Sequence, residues 1–134
     1  MADTIELEVA TPERELVREM VTDLQVPGKN GYMGILPGHA PLVGLLGIGM
    51  LSYTRGSQKH YMAVHGGFLE VADDHVRVLA DNAEHASEID VERAQNALRR
   101  AQEAGMNPAL GVDPAAALES IERAQARLEA ADKK

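Results

Sequence analysis

The chain has 134 residues, room for one domain with a small appendage, and its 45 % apolar and 25 % charged content fits a folded protein rather than a disordered one. Only Tyr32, Tyr53, Tyr61 and Phe68 are aromatic and the net charge is −8, which together argue against a nucleic-acid partner. Cysteine is absent, so disulfides, thiol nucleophiles and cysteine-ligated zinc are excluded.

Residues 1–88 read as short strands. Ile5, Leu7 and Val9 alternate with Thr4, Glu6 and Glu8, and this opening lacks the basic and apolar regions of a signal peptide. Thr11-Pro12 breaks the run. Leu24 and Val26 alternate with Asp23 and Gln25 before Pro27-Gly28. Residues 31–43, rich in Gly and Pro, read as a tight loop leading into apolar residues. Such a loop is either a plain connection between strands or a contact loop on a rigid sandwich end. Strands are expected over 47–54, 58–64, 68–71 and 75–81. Arg55-Gly56-Ser57, Gly66-Gly67 and Asp73-Asp74 are the expected turns between them. Short strands with turn signals at this spacing predict a sandwich or a barrel.

Residues 89–134 change character, with Ala, Glu, Arg, Gln and Leu dominating. Asp90 is a suitable N-cap, and Ala94, Ala97, Leu98 and Ala101 repeat on one helical face. Gly105 and Asn107-Pro108 are expected to stop this helix. Asp113-Pro114 then starts a second one, with a stripe of Ala117, Leu118, Ile121, Ala124 and Leu128. The two form an antiparallel helix-turn-helix hairpin. Its stripes are rich in Ala, which stabilises little at about 0.8 kcal/mol per buried CH₂. The hairpin therefore needs a docking surface, a ligand or a partner. Acidity sits on the strand-forming part: residues 1–88 hold 6 basic and 13 acidic groups, net −7, against 7 and 8, net −1, over 89–134.

Catalytic motifs are missing. There is no G-x-x-x-x-G-K-[ST] for phosphoryl chemistry, no G-x-S-x-G and no H-E-x-x-H. His39, His60, His65, His75 and His85 include no pair at the helical i, i+4 spacing of a zinc site. No stretch approaches the roughly 20 apolar residues that a membrane-crossing helix needs. If the chain works at a membrane, a partner brings it there.

Three segments then become specific. Residues 34–43, GILPGHAPLV, resemble the signature of the epsilon subunit of F-type ATP synthases, called delta in mitochondria. Residues 66–71, GGFLEV, and 79–94, LADNAEHASEIDVERA, are similar to the same family in the same order and spacing. The resemblance covers the whole chain. It implies a β + α protein: a ten-stranded β-sandwich over 1–88, contacting the gamma subunit and the c-ring, and a regulatory α-helical hairpin over 89–134. It further implies a non-catalytic rotor subunit of the central stalk. Such a subunit couples gamma to the c-ring and restrains ATP hydrolysis through its hairpin, which meets the alpha and beta catalytic subunits when extended. The implied place is the cytoplasmic face of the bacterial inner membrane, peripheral and held only through the complex.

By the same resemblance, Gly38, His39, Ala40 and Pro41 are the c-ring contact loop. Pro37 and Pro41 stiffen it, which lowers the ordering cost of binding. Asp90, Arg93 and Ala94 lie in a segment resembling the I/L-D-x-x-R-A of members that bind ATP, and Glu84, Ile89, Arg100, Arg123 and Arg127 complete the set by match. No cofactor is required; ATP would be a regulator and remain unhydrolysed. Spacing is compatible, because Arg93 and Arg100 share a helix face, as do Arg123 and Arg127. Antiparallel folding would bring the four guanidinium groups toward one triphosphate. The same residues also suit a solvated face, with Glu119 pairing Arg123 and Glu103 pairing Arg99 or Arg100. A free-standing ATP-binding regulatory module is the alternative function.

Overall fold

The computed structural model describes residues 3–133. Seven strands come first: β1 Ile5–Ala10, β2 Glu15–Val21, β3 Asp23–Gly28, β4 Gly31–Ile35, β5 Leu42–Arg55, β6 Gln58–Ala72 and β7 His75–His85. A short 3₁₀ turn, Ala86–Glu88, leads to helix α1 Val91–Met106, and a second, Pro108–Leu110, to helix α2 Pro114–Asp132.

The strands form one continuous sheet in the order β2-β1-β7-β6-β5-β3-β4, folded over to make two layers. One layer holds β2, β1 and the halves of β7, β6 and β5 near the β6–β7 turn. The other holds β4, β3 and the remaining halves of the same three strands. Seven strands, not ten, therefore build the sandwich, because three of them cross the bend and serve both layers.

The expected turn at Gly66-Gly67 lies inside β6, and the β5–β6 pairing runs through it without a register shift. What changes there is the phase of the pleat. Met62 and Val64 point into the core on one side, Leu69 and Val71 on the other. Gly66 (φ +69°) and Gly67 (φ +115°) make the reversal in a region that other residues rarely adopt. A Cβ on Gly67 would collide with the Leu79 carbonyl. Read locally, such a pair signals a turn; in the sheet it folds a strand.

Two strands emerge where the sequence suggested none. β2 buries Val17 and Val21 on alternate positions, with Arg18 facing out. β4 takes the first part of the expected loop, pairing Met33 with Val26 and Ile35 with Leu24, so the loop shrinks to residues 36–41. The core between the layers is aliphatic, built from Ile5, Leu7, Val9, Leu24, Val26, Leu51, Met62, Val64, Leu69, Val76 and Val78.

Asp90 caps α1, its carboxylate accepting from the Arg93 amide at 3.1 Å. The helix runs through Gly105 to Met106. Pro108 ends it, since proline offers no amide and constrains the residue before it. Asp113 caps α2, accepting from the Ala115 amide at 3.3 Å. α1 packs on α2, and α2 on β5 and β6. α2 thus has two buried faces. Ala117 and Ala124, with half-buried Ile121 and Leu128, face α1. Ala126 and Ala130 meet Ala63, Ile89, Ile48, Met50 and Tyr61. Leu118, expected in the stripe, is 57 % exposed. It shares the outer face with Glu122, Gln125 and Glu129, which sit at helical spacing from it.

Candidate functional site

The hinge between sandwich and hairpin shapes the first site. Arg14, on the β1–β2 connection, donates from both terminal nitrogens to Glu88, each at 2.9 Å. Glu88 also accepts from the His85 amide at 3.0 Å. The Arg14 bond holds the Glu88 carboxyl at about 2, with the His85 amide adding to the effect. Because its value is depressed, the stabilisation from Glu88 is present above about 4.5 and fades as pH falls through about 2. The 3₁₀ turn is thereby tied to the sandwich across the neutral range. Ile89, 5 % exposed, packs against α2 in the same place.

Beside this hinge lies a cleft of about 450 Å³ between β7 and the two helices. Its walls carry Glu84, Asp90, Arg93, Ala94, Arg100 and Arg127, six of the eight residues expected at an ATP site. The other two lie outside it. Ile89 is in the apolar contact just described. Arg123 donates to Glu119 at 2.7 Å and to the Ser120 hydroxyl at 3.1 Å, on its own helix. Glu119–Arg123 was the pairing expected of a solvated face; the expected pairing of Glu103 with Arg99 or Arg100 does not form among the described residues.

Asn82, Glu88 and Ala97 also line the cleft and were not expected there from sequence. Asn82 could have been found from strand period, since it stands two positions from Glu84 on one face of β7. Ala97 is one helical turn from Ala94 and Arg93. Glu88 carried no such signal, because its position depends on Arg14 from far along the chain.

The electrostatics are balanced. Three guanidinium groups face three carboxylates: Glu84, Glu88 and Asp90. Glu88 is occupied by Arg14 and Asp90 by its helix. Arg127 donates from Nε to Glu84 at 2.6 Å, with both side chains about three-quarters buried. Arg93 and Arg100 are exposed and form no ion pair among the described residues. Their planar donors suit phosphate oxygens, and Glu84 can accept from a ligand hydroxyl or amine.

The second site is the loop at residues 36–41. The Gly38 amide donates to Asp74 at 2.6 Å, which pins the loop to the β6–β7 turn. The His39 amide donates to the Leu36 carbonyl at 3.2 Å, and the His39 ring bonds the Ala40 carbonyl at 2.7 Å. Leu36, Gly38, Ala40 and Pro41 are exposed. On the adjacent outer face, Leu45, Phe68 and Leu79 are aligned across β5, β6 and β7, all exposed. Val43 extends the row and is 77 % exposed. Contiguous apolar groups of this kind mark a contact surface.

A family model described as "ATP synthase, Delta/Epsilon chain, beta-sandwich domain" matches residues 4–86. The chain belongs to the ATP synthase delta/epsilon family. The "ATP synthase epsilon chain" of Solibacter usitatus is 67 % identical over 134 residues, all of both chains. The epsilon chain of Syntrophomonas wolfei is 46 % identical over 132 residues, 97 % of this chain and 96 % of its own. Among solved structures, a chain of the Euglena gracilis mitochondrial ATP synthase, OSCP/F1/c-ring in rotational state 1, matches with TM-score 0.83 and 28 % identity. That match covers 98 % of this chain and 82 % of the other. The delta/epsilon model ends just before the α1 cap at Asp90, while the similarity to both epsilon chains continues through the two helices.

Proposed function

We propose that the chain is a non-catalytic rotor subunit of the central stalk in a proton-translocating ATP synthase. It joins the gamma subunit to the c-ring during synthesis and restrains ATP hydrolysis through its hairpin. The observation that carries this reading is the likeness of nearly the whole chain, helices included, to one in an assembly of F1 and c-ring. No helix among the described residues is long and apolar enough to cross a membrane. Attachment is assigned to its partners, at the cytoplasmic face of the inner membrane.

The two surfaces divide the work. The exposed row of Leu45, Phe68 and Leu79 offers a partner about 25 cal/mol of stabilisation per Å² of apolar area covered, and is assigned to gamma. The loop bearing Gly38, His39, Ala40 and Pro41 is assigned to the c-ring. Its bond to Asp74 keeps it ordered before contact, which lowers the entropy lost on binding. Tagged chain drawn from detergent-solubilised membranes of its own host is expected to bring gamma and c subunits with it. Recovery of the chain alone would favour the free-standing module instead.

ATP is assigned to the cleft as a regulator. Arg93 and Arg100 are open to phosphate, and Arg127 would exchange Glu84 for an anion. Titrating ATP into the isolated chain is expected to give saturable heat. Arg93→Ala should weaken binding about tenfold or more, the scale of a lost charge-assisted hydrogen bond. No heat at millimolar ATP would reject the site.

A further inference from the structure

His65 lies midway along β6, on the outer side that α2 covers, and is 5 % exposed. Ala63, two residues away on the same face, touches α2 through Ala126 and Ala130. Neither nitrogen of the His65 ring meets a hydrogen-bonding group among the described residues. The other histidines differ: His39, His75 and His85 each have a partner, and His60 stacks on Tyr53. A buried imidazole without a partner is costly even when neutral, and more so when charged.

Among the described residues, no carboxylate bonds the ring to balance a proton's charge. From α2, Arg127 and Arg123 both act on the ring, and both are cationic. Of the carboxylates nearby, two are committed: Glu84 on β7 accepts from Arg127, and Glu119 on α2 accepts from Arg123. Asp81 on β7 stands over Gly66. The cross-strand neighbours of His65 are Ile48 on β5 and Asn82 on β7, neither of which titrates. Across from the ring, the contact holding α2 down is made largely of alanine.

We propose that His65 is a proton-operated latch: with its imidazole neutral α2 stays docked on the sandwich, and protonation drives α2 off it. Burial, then Arg127 and Arg123, push the ring down to about 4, against 6.5 for an ordinary histidine. The docked form therefore binds fewer protons. Docking is strongest above about 6.5 and weakens as pH falls from there toward 4. With these values the docking constant falls about tenfold between pH 7.5 and 5.5. The latch rests on the proposed regulatory hairpin for its physiological use, but the equilibrium itself belongs to the isolated chain.

Amide-exchange protection factors of α2 in the full chain, referenced to the core amides of β5 and β6, provide the test. Between pH 7.5 and 5.5 they are expected to fall about tenfold in the native protein and to stay level in His65→Leu. Level protection in the native protein, or a parallel fall in the variant, would overturn the latch. Should His65→Leu fail to fold, NMR titration of the native ring decides. A midpoint near 4 that accompanies loss of the α2 signals supports the latch, and one near 6.5 with α2 docked overturns it. An acid response of α2 in a chain whose hairpin deletion leaves hydrolysis unchanged would keep the latch and remove only the regulatory reading.

Discussion

Replacing Ala130 by glutamate is expected to strip α2 from the sandwich while β1–β7 remain folded. Ala130 is fully buried among Ala63, Ala86, Ile89, Ala126 and Ala131. Each of these alanines offers a single methyl group, so the contact contributes on the order of a few kcal/mol at about 0.8 kcal/mol per buried carbon. An unpaired carboxylate in that position costs several kcal/mol. The penalty exceeds the docking energy, and undocking relieves it because the side chain then reaches water. The sandwich core lies on the other side of the sheet and shares none of these residues. Amide exchange over 114–132 should rise toward that of an unstructured chain, with the β-sheet amides and the main thermal transition kept. Unchanged protection of α2 would show that the alanine contact is not what holds it.

Deleting residues 90–134 is expected to raise ATP hydrolysis by the assembled enzyme severalfold and leave ATP synthesis in place. The cut falls between the hinge bond Arg14–Glu88 and α1, so every strand and the loop at 36–41 are retained. Hydrolysis that stays level or falls would remove the hairpin's inhibitory role. The two changes also oppose each other. A hairpin that inhibits when extended predicts lower hydrolysis in Ala130→Glu, where it is freed, and higher hydrolysis in the deletion, where it is gone. A hairpin that inhibits while docked predicts a rise in both. Measured side by side, the signs identify the inhibitory form.

Both effects trace to one feature of the sequence, its alanine-rich second helix. That α2 exists was legible, because Asp113-Pro114 opens it and good helix formers continue it. Which face it buries was not. Alanine on every side gives a weak hydrophobic pattern, and the helix has two neighbours. Leu118 appeared to belong inside and lies outside, whereas Ala126 and Ala130 carried no obvious signal and make the sheet contact. Six of the cleft residues were reached through the family resemblance, with helical spacing only compatible with it. Arg123 was not separable from Arg127 that way. One turn apart on a helix, the two differ by what stands opposite: Glu84 on β7 reaches Arg127, and Arg123 turns back to Glu119.

The division into strands and hairpin, the caps at Asp90 and Asp113, the Gly- and Pro-rich loop and the family were all legible in the residues alone. These are local or short-range matters: side-chain period, backbone preference at Pro and Asp, and motifs read in order. That seven strands suffice emerged from the fold, because a glycine pair that bends a strand and one that ends it look alike until neighbouring strands are paired. The fold likewise showed that Arg14 fastens the hinge through Glu88, that Arg127 faces Glu84 across the cleft, and that His65 lies buried under α2 beside two arginines. Each of these joins residues from different elements, and such contacts are set by how the sheet folds over and where α2 comes to rest on it.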